Sequence, residues 1–389
     1  MPVPEPRAPT VAVIGGGQLA RMLAEPAAAL GIPLRLLAEG PDVSAAQVIP
    51  DHVVGDYRDL DTLVKVTDGC AVVTFDHEHV PTDHLRALVA AGVPCRPGPD
   101  ALVHAQDKAV MRERLSGLDV PCPRHARVAD AADVAAFGFP CVLKTTRGGY
   151  DGKGVWFVSG PEDAAAALAA AAEAGAELLV EELVEFRREL SALVVRAPNG
   201  QSAAYPVVES VQRDGICREV TAPAPDLDPV LSAQAQRLAL RVAGELDVTG
   251  VLAVELFETT DGRILVNELA MRPHNTGHWT QDGAVTSQFE NHLRAVLDLP
   301  LGSPAPRATW TVMVNILGAE EDAGRLYDGY PHAFAHDPRL RVHLYGKDLR
   351  PGRKVGHVNA YGEDLADCRE RARHAAAWFA GEGEWEQGD

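Results

Sequence analysis

Residues 141–158 constrain the fold more than any other stretch. A strand-like run, Cys141–Lys144, enters the loop Arg147-Gly148-Gly149-Tyr150-Asp151-Gly152-Lys153-Gly154, and a second apolar run, Val155–Val158, follows at once. A P-loop would continue into a helix, and its lysine would be followed by Ser or Thr, whereas Lys153 is followed by glycine. Strand, glycine loop and strand together read as a flexible hairpin lid over phosphates.

The segment before the lid alternates strand-like and helix-like runs: Thr10–Ile14, Gln18–Leu30, Leu34–Leu37, Leu60–Val66, Ala71–Phe75 and His84–Ala90. That alternation is the pattern of parallel βαβ units. Gly15, Gly16 and Gly17 fall between the first strand and the first helix, where a tight turn and exposed N–H groups can hold an anion. Ala20 completes the spacing of a dinucleotide fingerprint, and Glu39 stands where a ribose-binding acid would, so an oxidoreductase is open at this point.

After the lid, an Ala-rich helix over Glu162–Ala174 serves as scaffold. Strands are expected at Leu178–Glu181, Glu189–Val195, Ala203–Val208 and Cys217–Thr221, and a helix near Leu231–Glu245. The turn Asp261-Gly262 between apolar runs predicts a hairpin of Val251–Glu258 and Arg263–Glu268. That hairpin puts Glu255 and Glu268 on adjacent strands with Asn267 beside them, and hard oxygen donors are what Mg²⁺ takes. For any single Glu, a solvated strand carboxylate is the alternative. The following loop carries Arg272, His274, Asn275 and His278, a set of donors able to bind a small oxyanion and stabilise charge on a transferring phosphoryl group.

The net charge of −19 excludes a general affinity for nucleic acid or an anionic membrane. A phosphate site must therefore be locally basic, and residues 345–357 pack Lys347, Arg350, Arg353 and Lys354 into eight positions. The six cysteines show no CxxC spacing and read as reduced thiols. The proline-rich start lacks the apolar core of a signal peptide, so a cytoplasmic protein is expected.

In order and combination, five motifs resemble the ATP-grasp superfamily, and within it the carboxyaminoimidazole ribonucleotide synthases of purine biosynthesis. They are Gly-Gly-Gln-Leu (16–19), Gly-Gly-Tyr-Asp-Gly-Lys-Gly (148–154), Asn-Glu-Leu-Ala-Met-Arg-Pro-His-Asn-Thr-Gly-His (267–278), Ser-Gln-Phe-Glu-Asn-His (287–292) and Arg-Pro-Gly-Arg-Lys-Val-Gly-His (350–357). The resemblance implies a mixed α/β and α+β architecture: a Rossmann-like domain over 10–105, an ATP-grasp domain over 106–305 with a lid at about 125–187, and a small strand-rich domain over 306–380. Residues 1–9 and the acidic tail 381–389 are expected to be disordered.

The resemblance further implies carboxylation of 5-aminoimidazole ribonucleotide at the expense of ATP and bicarbonate, through carboxyphosphate. It assigns ATP to His104, Lys108, Lys144, the loop Gly149, Tyr150, Asp151, Gly152, Lys153, Gly154 and Val155, the run Glu181, Glu182, Leu183 and Val184, and Glu189, Gln212, Asn267 and Glu268. Mg²⁺ falls to Glu255 and Glu268. Arg272, His274 and Asn275 would face bicarbonate or carboxyphosphate, with His274 and Asp151 handling protons. The ribonucleotide would meet Gln18, Leu19, Glu78, Tyr150, Asp151 and Lys153, with its phosphate at Lys347, Arg353 and Lys354. On the same ground a homodimer is expected, with small molecules as its other partners.

Two positions depart from the family pattern: His104 stands where an arginine is common, and His79 where an asparagine is usual. Rival readings are another ATP-grasp ligase, such as a formate-using glycinamide ribonucleotide transformylase, the oxidoreductase built on Gly15–Ala20, and a nucleotide sensor that does no chemistry.

Overall fold

The computed structural model describes residues 8–149, 152–318 and 326–381. The predicted βαβ alternation is present at the start: β1 (Val11–Ile14), α1 (Gln18–Leu30), β2 (Leu34–Ala38), β3 (His52–Val54), α2 (Leu60–Thr67), β4 (Val72–Phe75), α3 (Thr82–Ala90) and α4 (Pro99–Gln106). The strands form one parallel sheet in the order β3-β2-β1-β4. β1 and β4 are buried throughout, as expected where helices cover both faces of a parallel sheet.

α5 (Lys108–Gly117) leads into the lid. It is capped by Asp107, whose carboxylate accepts the N–H groups of Ala109 and Val110. The lid is a four-stranded sheet, β5-β8-β6-β7, made of β5 (His125–Val128), β6 (Cys141–Thr145), β7 (Val155–Val158) and β8 (Leu178–Glu182). It is backed by α6 (Ala131–Phe137) and α7 (Pro161–Glu173). Ala164, Ala167 and Ala171 of α7 recur at helical spacing and are buried against it, so the Ala-rich run is the scaffold its composition predicts.

The remaining strands build a single nine-stranded sheet: β9 (Phe186–Arg196), β10 (Ser202–Ala204), β11 (Val208–Arg213), β12 (Ile216–Ala222), β13 (Gly250–Thr259), β14 (Ile264–Ala270), β15 (Trp310–Leu317), β16 (Arg341–Leu344) and β17 (Lys354–Gly362). Its order is β14-β13-β9-β11-β12-β15-β17-β16, with β10 on β9. The helices are α8 (Pro229–Glu245), α9 (Thr280–Gly283), α10 (Gln288–Val296), α11 (Tyr330–His336) and α12 (Leu365–Phe379).

One expectation is corrected here, and one feature of the sheet was not foreseen. The single strand expected over Ala203–Val208 is two strands, because Pro206 brings no N–H to a ladder and residues 205–207 leave the sheet. The C-terminal strands are not a sheet of their own, since β15 pairs antiparallel with β12 through Glu219↔Val314 to Ala222↔Thr311. Pairing at such separation leaves no trace in local periodicity.

The first domain is locked onto this sheet by α10. Phe289, Leu293 and Val296 share one buried cluster with Leu19 and Leu23 of α1 and with Tyr345. No helix among the described residues is long and apolar enough to cross a membrane.

Candidate active site

The three layers meet around a cleft of about 910 Å³, lined among others by Gln18, Glu78, Lys108, Gly149, Lys153, Glu255, Glu268, Arg272, His274, Lys347, Arg353 and Lys354. Residues scattered over the whole sequence are thus brought to one place. Leu19, Asn275 and His278 also line it.

Its floor is the β13–β14 hairpin, where Glu255 and Glu268 stand directly opposite each other in register. A Glu268 oxygen lies 2.5 Å from Lys108 Nζ, and a Glu255 oxygen lies 3.1 Å from His274 Nε2. Burial works against charge on Glu255, but the His274 hydrogen bond and the cations His274, Lys354 and Lys108 outweigh it and hold the carboxyl below its ordinary value. Among the described residues no group of three or more His, Cys, Asp or Glu side chains is gathered as a metal cage. The fit is instead to an ion that takes two carboxylates and completes its shell with phosphate oxygens, as Mg²⁺ does.

The lid strand β6 brings Lys144 to within 2.7 Å of Glu181 and 3.1 Å of Asn267 Oδ1. Beyond it the loop turns at Gly149 and Gly154. A Cβ at Gly149 would stand 2.8 Å from the Lys153 carbonyl, and one at Gly154, whose φ is +72°, would stand 2.5 Å from Thr145 Oγ1. Arg147 ties the loop back to Asp107 at 2.9 Å. Tyr150 and Asp151 lie outside the described residues.

Glu189, on β9, sits with Gln212 and Asn267 in a small recess that shares Glu255 with the main cleft. Burial, and then the charge of Glu255, lift its carboxyl to about 7 against the pull of Lys144. Gln212 donates to Ser210 Oγ at 3.0 Å. Glu182 accepts the Arg124 N–H, and with Leu183 and Val184 it carries the chain from the lid sheet to the central sheet.

The loop after β14 is held from several sides. Arg272 Nε donates to Glu78 at 2.7 Å, and Glu78 also accepts the Met271 N–H. The buried Gln288 side chain accepts the His274 N–H and donates to the His274 carbonyl, both at 2.8 Å. Asn275 and Asn315 of β15 exchange two amide hydrogen bonds, at 3.0 and 2.8 Å. At the basic end Lys347 donates to Gln18.

Several expected roles are altered by these contacts. The glycine turn is not an open anion cradle: Gly16 N–H donates to Glu39 at 2.9 Å, and Ala20 N–H at the start of α1 donates to Asp76 at 2.7 Å. A Cβ at Gly17 would come within 2.1 Å of the same Asp76 carboxylate, so glycine is needed there to admit a protein carboxylate. Glu39 reaches His77 and Gly16, which leaves it no resemblance to a ribose-binding acid. The Glu181 carboxylate, expected among the ATP contacts, is buried with both oxygens engaged, one by Arg112 and the other by Lys144. His104 turns its Nδ1 to the Ala101 carbonyl of its own helix and lies apart from the cleft lining. His79 does line the cleft, and burial followed by the charge of His77 holds its imidazole below the usual range.

Residues not foreseen from sequence include Arg112, Asp76, Gln288 and Asn315. Asp76 carried a usable signal, an acid directly after the strand-like run Val72-Val73-Thr74-Phe75, and Gln288 stands in the motif 287–292. Arg112 had none.

Against known proteins, residues 8–106 match the ribonucleotide synthetase preATP-grasp domain, 113–289 the ATP-grasp domain, and 311–371 the phosphoribosylaminoimidazole carboxylase C-terminal domain. An N5-carboxyaminoimidazole ribonucleotide synthase of Mycobacterium tuberculosis is 55% identical over 386 residues, covering 98% of this chain and 90% of the relative. The chain belongs to the N5-carboxyaminoimidazole ribonucleotide synthase family. The synthetase of Thermus thermophilus superposes with a TM-score of 0.85 at 39% identity, over 97% of this chain and 100% of that one. The synthase of Aspergillus clavatus in complex with ADP and 5-aminoimidazole ribonucleotide does so at 0.88 and 31%, over 96% and 99%. Family membership makes the chain an ATP-grasp ligase and leaves the oxidoreductase and formate-using readings without support.

Proposed function

We propose that the chain phosphorylates bicarbonate with ATP and transfers the carboxylate to the exocyclic amine of 5-aminoimidazole ribonucleotide. The observation that carries this is the meeting, in one cleft, of the Glu255/Glu268 pair, the Arg272/His274 loop and the basic run Lys347, Arg353 and Lys354. The first suits the phosphates of ATP with Mg²⁺, the second a small oxyanion, and the third a ribonucleotide phosphate.

Bicarbonate oxygen attacks the γ-phosphorus, the bond to the β-phosphate oxygen breaks, and ADP leaves. The amine nitrogen then attacks the carbon of carboxyphosphate, or of the CO₂ it releases, phosphate departs, and the nitrogen loses a proton. Because the protein forms no covalent bond, its contribution is positioning and charge neutralisation. Lys108 and Lys144 supply cations on the nucleotide side, and Arg272, fixed by Glu78, supplies one on the bicarbonate side. His274, anchored by Gln288 through its backbone and by Glu255 through its ring, stands beside it as a donor. Mg²⁺ bound between Glu255 and Glu268 would neutralise charge on the β- and γ-phosphates.

The division into domains at 10–105, 106–305 and 306–380 is supported by the three matched stretches, the homodimer by the family resemblance alone, and the cytoplasmic location by the proline-rich start without a signal-peptide core. The test of function is ADP release with Mg·ATP, bicarbonate and the ribonucleotide supplied separately and together. Turnover that needs both and collapses in Glu268→Gln is expected. Turnover indifferent to the ribonucleotide would leave ATP binding intact and overturn the substrate.

A further inference from the structure

Arg112 has no exposed surface, and a buried guanidinium needs a counter-charge and acceptors for its N–H groups. Its Nε donates to Glu181 Oε1 at 2.6 Å, Nη1 to the Val266 carbonyl at 2.9 Å and Nη2 to the Asn267 carbonyl at 2.8 Å. The other Glu181 oxygen lies 2.7 Å from Lys144 Nζ. One buried carboxylate therefore sits between two cations of different kinds. Arg112 is always charged and is pinned by two backbone carbonyls of β14, whereas Lys144 is a point charge on a flexible stem in the lid.

In a site this dry, a Glu181–Lys144 pair standing alone would resist giving up its lysine, because departure would strand an uncompensated carboxylate. With Arg112 in place, the charge of Glu181 is answered whether Lys144 stays or goes. We propose that Arg112 is a positioning residue for the nucleotide: as the permanent counter-charge of Glu181, it lets Lys144 exchange that carboxylate for the phosphates of ATP. This rests on the reading that Lys144 meets those phosphates. Burial raises the Glu181 carboxyl, but Arg112 and then Lys144 bring it down to about 2, so it is an anion at any working pH.

The test is titration of the full chain with ATP and, separately, with adenosine, which has no phosphate. In Arg112→Gln, ATP should bind about tenfold more weakly or worse, while adenosine stays within about twofold. A role confined to supporting the backbone of β14 would weaken both ligands alike. In the double variant Arg112→Gln/Glu181→Gln no carboxylate of position 181 competes for Lys144, which keeps only the neutral Asn267 amide oxygen, and ATP affinity should return to within about threefold of the parent. That neutral pair keeps the shape of the original and stands as the test if the single variant does not fold. A double variant that still binds ATP tenfold more weakly, or a single variant that loses both ligands equally or neither, overturns the inference. Lys144→Met separates the two readings. If it binds ATP as tightly as the parent, the phosphate reading falls. If it weakens ATP but the double variant recovers nothing, the role of Arg112 falls alone.

Discussion

His292 shows how far one side chain can be fixed by its neighbours. It is fully buried on α10, its Nδ1 accepts the Val251 N–H at 3.1 Å, and Nε2 lies 2.7 Å from Thr74 Oγ1 in the first domain. A ring that accepts at Nδ1 must carry its proton at Nε2, so the imidazole is neutral and bridges two domains. Burial pulls it from 6.5 to about 3. The unfolded imidazole takes up a proton near 6.5 that the folded one refuses, so this contribution to stability is complete above that value and is lost as pH falls toward 3. Urea unfolding between pH 8 and 4.5 should show His292→Gln less stable at pH 8 but with a shallower acid limb, by about one proton or ~1.4 kcal/mol per pH unit. An unchanged slope would mean that the ring is not held neutral. At this scale Glu255 and Glu268 were legible as neighbours because the Asp261-Gly262 turn brings their strands together, although a register shift between Glu255 and Leu256 is what sets them directly opposite; Arg112, on a helix that also carries Lys108 and Arg114, looks like any solvated cation until the fold buries it.

Among elements, the lid hairpin was readable because its glycines answer a local requirement. Gly154 needs both a positive φ and the absence of a Cβ beside Thr145. Gly154→Ala is expected to raise KM for ATP about tenfold or more while lowering overall stability by only about 1–2 kcal/mol, since the strain falls on one loop of the lid. Steady-state kinetics beside a melting curve would check it, and an unaltered KM would show that the loop does not meet the nucleotide. The α1 turn taught the opposite lesson. Gly15–Gly17 have the spacing of a phosphate cradle, yet the Gly15 N–H goes to the Leu37 carbonyl, the Gly16 N–H to Glu39 and the Ala20 N–H to Asp76, partners at the ends of other strands that cannot be seen in the motif.

For the whole molecule, the sequence placed the strands but not the sheet. β15 joins β12 across nearly a hundred residues, so the C-terminal segment belongs mechanically to the central unit. The Asn275–Asn315 pair ties the loop after β14 to β15. Asn315→Leu keeps the branching of the side chain, removes both amide bonds together with the Asn315 donation to the Cys217 carbonyl, and leaves the Asn275 side chain unsatisfied. A fall in kcat of about tenfold or more is expected from a loop displaced by a fraction of an ångström, with a loss of stability of about 1–3 kcal/mol. A variant with parental kcat would show that the loop holds its shape without β15.

The same amide pair says something about shape. Five strand spacings separate β14 from β15, and at ~4.8 Å each a flat sheet would hold them about 24 Å apart. Asn275 follows β14 by only a few residues, yet its side chain touches Asn315. Twist of the sheet and the reach of the loop after β14 together cover that distance, so strands far apart in the order are joined by side chains instead of a ladder. The amide clasp has company, since His343 Nε2 and Asn359 Nδ2 each meet Asp282 at 2.8 Å on the segment that follows, so the loop after β14 is held against the C-terminal strands at several points.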